Sequence, residues 1–229
     1  MNRRHKLIYA MLLVIAFAAA QIYTVCFRCV DCFSFAENAN KSIYLTFDDG
    51  PSDRVTPKIL DILKEENVKA TFFIVGKQAQ KRKYLIKREH DEGHCVAVHS
   101  YSHIYKDIYS SPQALIEDID KCNDLIEEVT GHRSEVYRFP GGSFTVGSDF
   151  IAKVRLHGLT YVDWNASTRD AELYNPTPAD LLNAAITTPA YPKRIVMLSH
   201  DTTDKTVVAD ALRDVIRYYK DKGYTFKRF

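Results

Sequence analysis

Two adjacent aspartates, Asp48 and Asp49, close an apolar run and are followed at once by Gly50-Pro51. Adjacent carboxylates repel, so the pair asks for a neutralising partner. One carboxylate can bind a cation while the other stays free as a general base. The cation then offsets the repulsion, lowers the pKa of the base and acidifies water beside it. The same four residues also suit an ordinary surface turn. HSYSH (99–103) supplies two histidines four apart, His99 and His103, a spacing that brings two imidazoles together on a helical turn or a tight loop. Neutral imidazole is a common ligand for divalent metals. Joined with Asp49 they make a set of two histidines and one carboxylate, which leaves coordination positions open, as catalytic rather than structural sites do. His94 stands nearby, before a strand, and reads as a loop residue.

Three further stretches carry polar residues suited to the same chemistry. RFPGGS (138–143) puts Arg138 before Pro-Gly-Gly. Arg138 can pair with the free carboxylate and keep it ionised and oriented, and the Gly141 N–H can donate to a developing oxyanion. A loop with a surface ion pair is the plainer reading. YVDWN (161–165) carries the single tryptophan, Trp164, a wall for a sugar ring or acyl group, or else a core residue. Asp163 can orient a histidine or pair with Arg138. VMLSHD (196–201) ends an apolar strand in Ser-His-Asp. His200 can donate a proton to a leaving amine, and Leu198 can line a methyl-sized pocket. Consecutive Ser199, His200 and Asp201 cannot form a triad with one another, and no Gly-x-Ser-x-Gly elbow is present.

These residues need elements to hold them. Strand patterns fall at 42–47, 69–75, 95–99, 135–139, 159–164, 194–199 and 224–226. Between them lie helical patterns at 57–66, 78–92, 112–130, 150–156, 178–187 and 205–222, with Gly93 and Gly131 as stops. Alternation of this kind predicts parallel strands joined by crossover helices. Asp48-Asp49, His99, Arg138, Asp163-Trp164 and His200 all fall at or just past the C-terminal end of a predicted strand, the edge where α/β folds build active sites.

Composition bounds the rest. The chain has 229 residues, 46% of them hydrophobic, enough for one sizeable core. Lys+Arg 31 against Asp+Glu 29 leaves a formal net charge of +2, with no basic excess to argue for nucleic acid. The N-terminus differs in kind: MNRRHK (1–6) precedes an uncharged apolar run over 7–25. That is a positive region before a stretch long enough to span a bilayer, roughly 18 residues or more. We read 1–27 as a signal peptide or membrane anchor, its length favouring the anchor, 28–41 as a linker, and 42–229 as the catalytic domain. The domain is then exported, anchored on the extracellular face or secreted. Of five cysteines, Cys26, Cys29 and Cys32 form a juxtamembrane group without assigned role, and Cys95 and Cys122 read as buried small hydrophobes.

Taken together, TFDDGP (46–51), HSYSH (99–103), RFPGG (138–142), Asp163-Trp164 and LSH (198–200) resemble the five ordered motifs of the polysaccharide deacetylases of the NodB-homology type, carbohydrate esterase family 4. The flanking sequence is most similar to the peptidoglycan N-acetylglucosamine deacetylases of Gram-positive bacteria. The resemblance implies a distorted (β/α) barrel of about seven parallel strands, here preceded by an apolar helix. It implies Asp48 as base, and Asp49, His99 and His103 as ligands of one divalent metal, zinc first, with cobalt, iron or manganese as alternatives. It implies Arg138 as partner of the base, Gly141 as amide donor to the oxyanion, Asp163 as the residue tuning the general acid His200, and Trp164 and Leu198 as the acetyl pocket. The partners implied are a cell-wall glycan and, through the N-terminal segment, the membrane, with the chain acting as a monomer. Two departures stand out: Gly141-Gly142 where many members carry a bulky residue, and Thr160 where an earlier aspartate is usual. Chitin-like oligosaccharides and acetylated xylan are alternative substrates, and a silent glycan-binding module or a non-haem iron oxygenase are alternative classes.

Overall fold

Strand and helix alternate through residues 41–229, the part of the chain that the computed structural model describes. The N-terminal apolar segment, its anchor or signal reading, and Cys26, Cys29 and Cys32 lie outside the described residues. Among the described residues no helix is long and apolar enough to cross a membrane. The strands are β1 (Ser42–Asp48), β2 (Thr71–Val75), β3 (Cys95–Ser100), β4 (Val136–Tyr137), β5 (Thr160–Tyr161), β6 (Ala166–Ser167), β7 (Arg194–His200) and β8 (Thr225–Lys227). The helices are α1 (Thr56–Glu65), α2 (Gly76–Ala79), α3 (Lys83–Asp91), α4 (Tyr105–Ile108), α5 (Pro112–Thr130), α6 (Ser148–Leu156), α7 (Pro178–Thr187) and α8 (Thr206–Asp221).

Every pairing is parallel, in the order β5-β4-β3-β2-β1-β7-β6. β8 pairs with the start of β1, filling the edge below Thr46 that β2, entering only at Thr71, leaves open. The distorted barrel expected from the sequence is what forms. β6, two residues long, is too short to leave a periodic signal. The helix expected over 78–92 is instead α2 and α3, broken where Arg82 leaves the helical region at φ −136 and turns its guanidinium to Asp53.

Strand period decides which residues reach the site. Ile43, Leu45 and Phe47 of β1, Phe72 and Ile74 of β2, Val96 and Val98 of β3, Tyr137, and Ile195 and Met197 of β7 form one cluster with the buried faces of the helices. Side chains of successive strand residues point to opposite faces. The residues between these, Thr46, Asp48, Phe73, His99, Arg138, Leu198 and His200, therefore turn into the barrel. Both faces of the central strands are buried, as parallel sheets require. The helices are fixed by local signals: Ser111 caps α5 by accepting from Ala114 N at 3.1 Å, Gly131 ends it at φ 79, and Thr177 and Asp180 cap each other at α7.

The two ends of the sheet, β5 and β6, are joined by only residues 162–165, so the chain itself spans the gap in the barrel. Val162 N donates to Tyr137 O on one side, and Asn165 N donates to Val196 O on the other. The Asn165 side chain completes the join: Oδ1 accepts from Val196 N at 2.8 Å and Nδ2 donates to Arg194 O at 2.7 Å. Asn165→Ala leaves two strand groups without partners and should lower unfolding free energy by about 1–3 kcal/mol. Urea denaturation checks this, and a loss below about 0.5 kcal/mol would mean that the seam closes without the amide.

Candidate active site

The barrel interior brings the end of β1 against the ends of its neighbours. Asp48 is the register partner of His200 on β7, and Val98 is the partner of Tyr137, so His99 and Arg138 follow side by side. Past Asp48 the backbone turns abruptly: Asp49 is left-handed at φ 72 and Gly50-Pro51 is cis. Gly50 is required there, because a Cβ would lie 2.2 Å from both carboxylate oxygens of Asp201. Asp201 is buried beneath the turn, where it accepts from Thr56 Oγ1, and its carbonyl accepts from Ser52 Oγ at 2.6 Å. Burial pushes its carboxyl up to about 7.

Asp49, His99 and His103 converge. Asp49 Oδ1 lies 3.4 Å from His99 Nε2 and 3.2 Å from His103 Nε2, and all three ligand atoms fall within 4.8 Å of one another. Ligands about 2.1 Å from a tetrahedral ion stand about 3.4 Å apart, so this spacing fits one metal. Two further features agree. The other nitrogen of His99, Nδ1, lies 2.9 Å from the Arg138 carbonyl, which can only accept; Nδ1 therefore carries the hydrogen, and in the neutral ring Nε2 offers a lone pair to the cluster. Asp49 Oδ1 is buried without a hydrogen-bond partner, the state of an atom shaped to meet a cation. Burial opposes ionisation of Asp49, but the surrounding histidines hold its carboxyl well below the usual carboxylate range. Burial, with His99 as neighbour, keeps His103 below the ordinary histidine value, in the form that ligates.

The loop that carries the ligands is tied to α5. Asp118 accepts from Ser100 Oγ, from Tyr101 N at 2.7 Å and from Ser102 N at 2.9 Å, and Ser100 Oγ accepts in turn from His103 N at 2.9 Å. Nothing in the amphipathic pattern of α5 marks Asp118 among its other acids. His94, taken as a loop residue, does precede β3 in a loop; it is buried, with Nδ1 accepting from Ala70 N at 3.1 Å. Cys122 is fully buried and Cys95 partly so.

Asp48 sits beside this cluster. Its Oδ1 accepts from Arg138 Nη1 at 2.8 Å, while Oδ2 lies 4.0 Å from His99 Nε2. Arg138 is fully buried. It also donates to Thr46 Oγ1 at 2.7 Å and Val162 O at 3.0 Å, with its guanidinium over the Phe73 ring. Trp164 stands half-buried near that guanidinium and edge-on to Phe144, and Leu198 is buried in β7 two residues before His200. Gly141 is exposed at φ 80.

One assignment is corrected. Asp163 does not reach His200; it accepts from Ser143 N at 2.9 Å and from the Ser143 hydroxyl, bracing the loop after Arg138. His200 Nδ1 pairs with Asp170 Oδ2 at 3.0 Å instead. Topology gives the reason: Asp163 leaves β5, at the far end of the sheet, whereas Asp170 follows β6, which pairs with the strand bearing His200. Asp170 is buried, and its Oδ1 accepts from Thr168 Oγ1 at 2.8 Å. Arg169, before it, is left-handed at φ 57. Burial alone would lower the His200 imidazole, but the hydrogen bond and charge of Asp170, with the charges of Asp48 and Asp49, outweigh it and raise it to about 9.

Residues 36–162 match the family model described as polysaccharide deacetylase. The chain is 34% identical over 200 residues to the peptidoglycan-N-acetylmuramic acid deacetylase PdaA of Bacillus subtilis, covering 86% of this chain and 73% of that protein. It is 35% identical to the peptidoglycan-N-acetylglucosamine deacetylase PgdA of Listeria monocytogenes, covering 82% of this chain but only 38% of that one. Among solved structures it is similar to a Streptococcus mutans CE4 esterase, with a TM-score of 0.78 and 34% identity, covering 84% of this chain and 87% of that one. The catalytic domain of a peptidoglycan N-acetylglucosamine deacetylase from Eubacterium rectale gives 0.77 and 35%, covering 83% and 89%.

The His200–Asp170 pair predicts a pH dependence. A histidine raised above its ordinary value near 6.5 stabilises the fold in full below that pH and loses the contribution as pH rises through about 9. Were His200 the proton donor expected from the sequence, it would be charged over the same range, and kcat/KM should fall as pH rises through about 9. Asp170→Asn removes the raising charge, and the alkaline limb of the pH–rate profile should move down towards the ordinary histidine value. An unmoved limb would take the proton donor elsewhere.

Proposed function

The chain belongs to the polysaccharide deacetylase family, and from that premise we propose that it hydrolyses the N-acetyl groups of a peptidoglycan-type glycan, N-acetylglucosamine residues first, releasing acetate and a free amine. The observation that carries this reading is the arrangement of two opposed proton-handling pairs, Asp48–Arg138 and His200–Asp170, on neighbouring strands beside the Asp49–His99–His103 cluster. A binding module needs neither pair. An amide is a poor electrophile with a poor leaving group, so its hydrolysis needs a base for the water and an acid for the nitrogen.

Asp49, His99 and His103 would hold one divalent ion, zinc or another metal that accepts two imidazoles and a carboxylate. Such an ion supplies a Lewis acid that polarises a carbonyl and makes water easier to deprotonate. The rest falls to the chain's own side chains. Arg138 keeps one oxygen of Asp48 occupied and leaves Oδ2, on the side of the cluster, to take the proton of the attacking water. His200, charged at neutral pH, gives a proton to the departing nitrogen, while Asp170 fixes the ring through Nδ1 so that Nε2 is the donor. Gly141 N–H is available to the acyl oxygen, and Trp164 with Leu198 suits the acetyl methyl. The charged, then apolar N-terminus supports export, with the domain tethered outside the membrane or released.

Similarity to PdaA favours one other sugar, N-acetylmuramic acid in the same glycan. Mass spectrometry of muropeptides from cells with and without the protein distinguishes the two, since the deacetylated sugar is read directly. Loss of acetyl from neither sugar would remove the peptidoglycan reading. For the roles, Asp48→Asn and His200→Ala should each lower acetate release by about 10²–10⁴-fold with bound metal unchanged, as loss of a general base or acid does. His103→Ala should lose the metal along with the activity. Retained turnover in either of the first two variants would reassign that proton.

A further inference from the structure

The space above Gly141 is occupied from another segment of the chain. A Cβ on Gly141 would lie 3.3 Å from both Cε1 and the hydroxyl oxygen of Tyr105. Tyr105 opens α4, two residues past His103, and its ring stands edge-on to the His103 imidazole, centroids 5.4 Å apart at 88°. On its other side it meets Tyr109 edge-on at 5.8 Å, and Tyr109 is itself tethered by its hydroxyl to Pro140 O at 2.7 Å. The ring is thus held between an imidazole of the cluster and an aromatic tied to the residue before Gly141. The side chain stays 46% exposed, and its hydroxyl donates to no group among the described residues. Gly141 N–H likewise has no backbone acceptor among them. Two unspent donors therefore border one patch of the site, a phenol and a backbone amide.

We propose that the Tyr105 hydroxyl contacts the substrate, donating a hydrogen bond to the acyl oxygen as that oxygen gains negative charge, beside the Gly141 N–H. The proposal rests on the deacetylase reading and names a further residue for it. In the hydrolysis the water oxygen bonds to the acyl carbon and the carbon–nitrogen bond breaks. One proton passes from water to Asp48 and another from His200 to the nitrogen. Tyr105 keeps its own proton and only shares it. A donor fixed by packing before the substrate arrives needs no reorganisation when charge develops, which is what makes such donors effective. The location also fits the local sequence. Gly141 brings no side chain to this spot, and a residue from α4 supplies both the covering ring and a polar tip.

Packing accounts for the ring, solvent can satisfy the exposed hydroxyl, and Tyr105→Phe tests whether that hydroxyl does more. The variant keeps the ring edges against His103 and Tyr109 and removes one oxygen. Acetate release from an N-acetylglucosamine oligosaccharide by the full metal-loaded chain gives kcat and KM; melting temperature and metal per chain are read on the same samples. We expect kcat to fall by about 100- to 1,000-fold, the scale of losing one oxyanion donor, with KM within about twofold and melting temperature and metal content unchanged. Tyr105→Leu, which also removes the ring, should lose thermal stability or metal in addition. Equal kcat in wild type and Tyr105→Phe overturns the role of Tyr105 and leaves the deacetylase reading standing. A raised KM with kcat held would put the hydroxyl on a sugar group and overturn the acyl contact. Activity loss that tracks metal loss in Tyr105→Phe would reduce the residue to packing. Wild type that releases no acetate from any N-acetylated glycan overturns both readings together.

Discussion

Arg138 is the residue on which both halves of the site depend. Its guanidinium has no access to solvent, and a cation there is tolerable because it is met on several sides: Asp48 and Thr46 at Nη1, the Val162 carbonyl at Nε, the Asp163 carbonyl 3.5 Å from Nη2, and the face of Phe73 below. Burial pushes the guanidinium below its ordinary value, and Asp48 opposes that push. Its backbone does a second job, since the carbonyl accepts from His99 Nδ1 and so decides which nitrogen of His99 faces Asp49. One residue therefore orients Asp48 through its side chain and a cluster imidazole through its main chain. It also joins β1 to the seam between β5 and β6, where the barrel has no ladder of its own. Removing one partner of a buried ion pair leaves an uncompensated charge, a cost of about 3–5 kcal/mol. The fold and the chemistry thus share a single point of failure.

Backbone strain is distributed to the same end. Among the described residues, five other than glycine have positive φ: Asp49, Asn67, His103, Arg169 and Asn175. Asparagine visits the left-handed region with little penalty. The remaining three are two members of the Asp49–His99–His103 cluster and the residue that precedes the His200 partner. For such residues the conformation costs on the order of 1–3 kcal/mol, and it persists only where surrounding contacts overdetermine it. Those contacts are visible: Asp201 under the Asp49 turn, Asp118 gathering the amides before His103, and Ser167 Oγ accepting from Arg169 N at 2.8 Å. Strain at the site is held by one buried carboxylate, Asp201, one part-buried carboxylate, Asp118, and the Ser167 hydroxyl.

That division explains what could be read from the sequence. Polar residues that end a strand announced themselves, because strand period and turn signals fix their position locally: Asp48, Asp49, His99, Arg138 and His200 all lie where the pattern put them. The residues that brace them did not. Asp118 is one acid among several on an amphipathic helix, and only the approach of α5 to the loop after β3 selects it. Asp170 follows a strand of two residues, too short for any periodicity, and its pairing with His200 is a fact of β6 lying against β7. Asp163 misled for the same reason: adjacency to Trp164 in sequence says nothing about which edge of the sheet it occupies. Sequence spacing specified the groups at the strand ends; through-space register specified the groups that hold them.

The histidines show how far environment, rather than residue type, sets the roles. His103 and His200 share a side chain and the same barrel end. Burial disfavours the charged ring at both. At His103 the neighbouring His99 adds to that effect and Asp49 does not overcome it, so the ring is held neutral with a lone pair to offer. At His200 a buried carboxylate sits directly on Nδ1 and reverses the balance, so the ring is charged at neutral pH with a proton to give. Carboxylates divide in parallel: Asp49 faces imidazoles, while Asp48 is bound on one oxygen and open on the other. Two imidazoles and two carboxylates become four different reagents because each has a different neighbour, and the neighbours are set by which strands lie side by side. The order of strands in the barrel is therefore the element of the fold that the chemistry reads most directly.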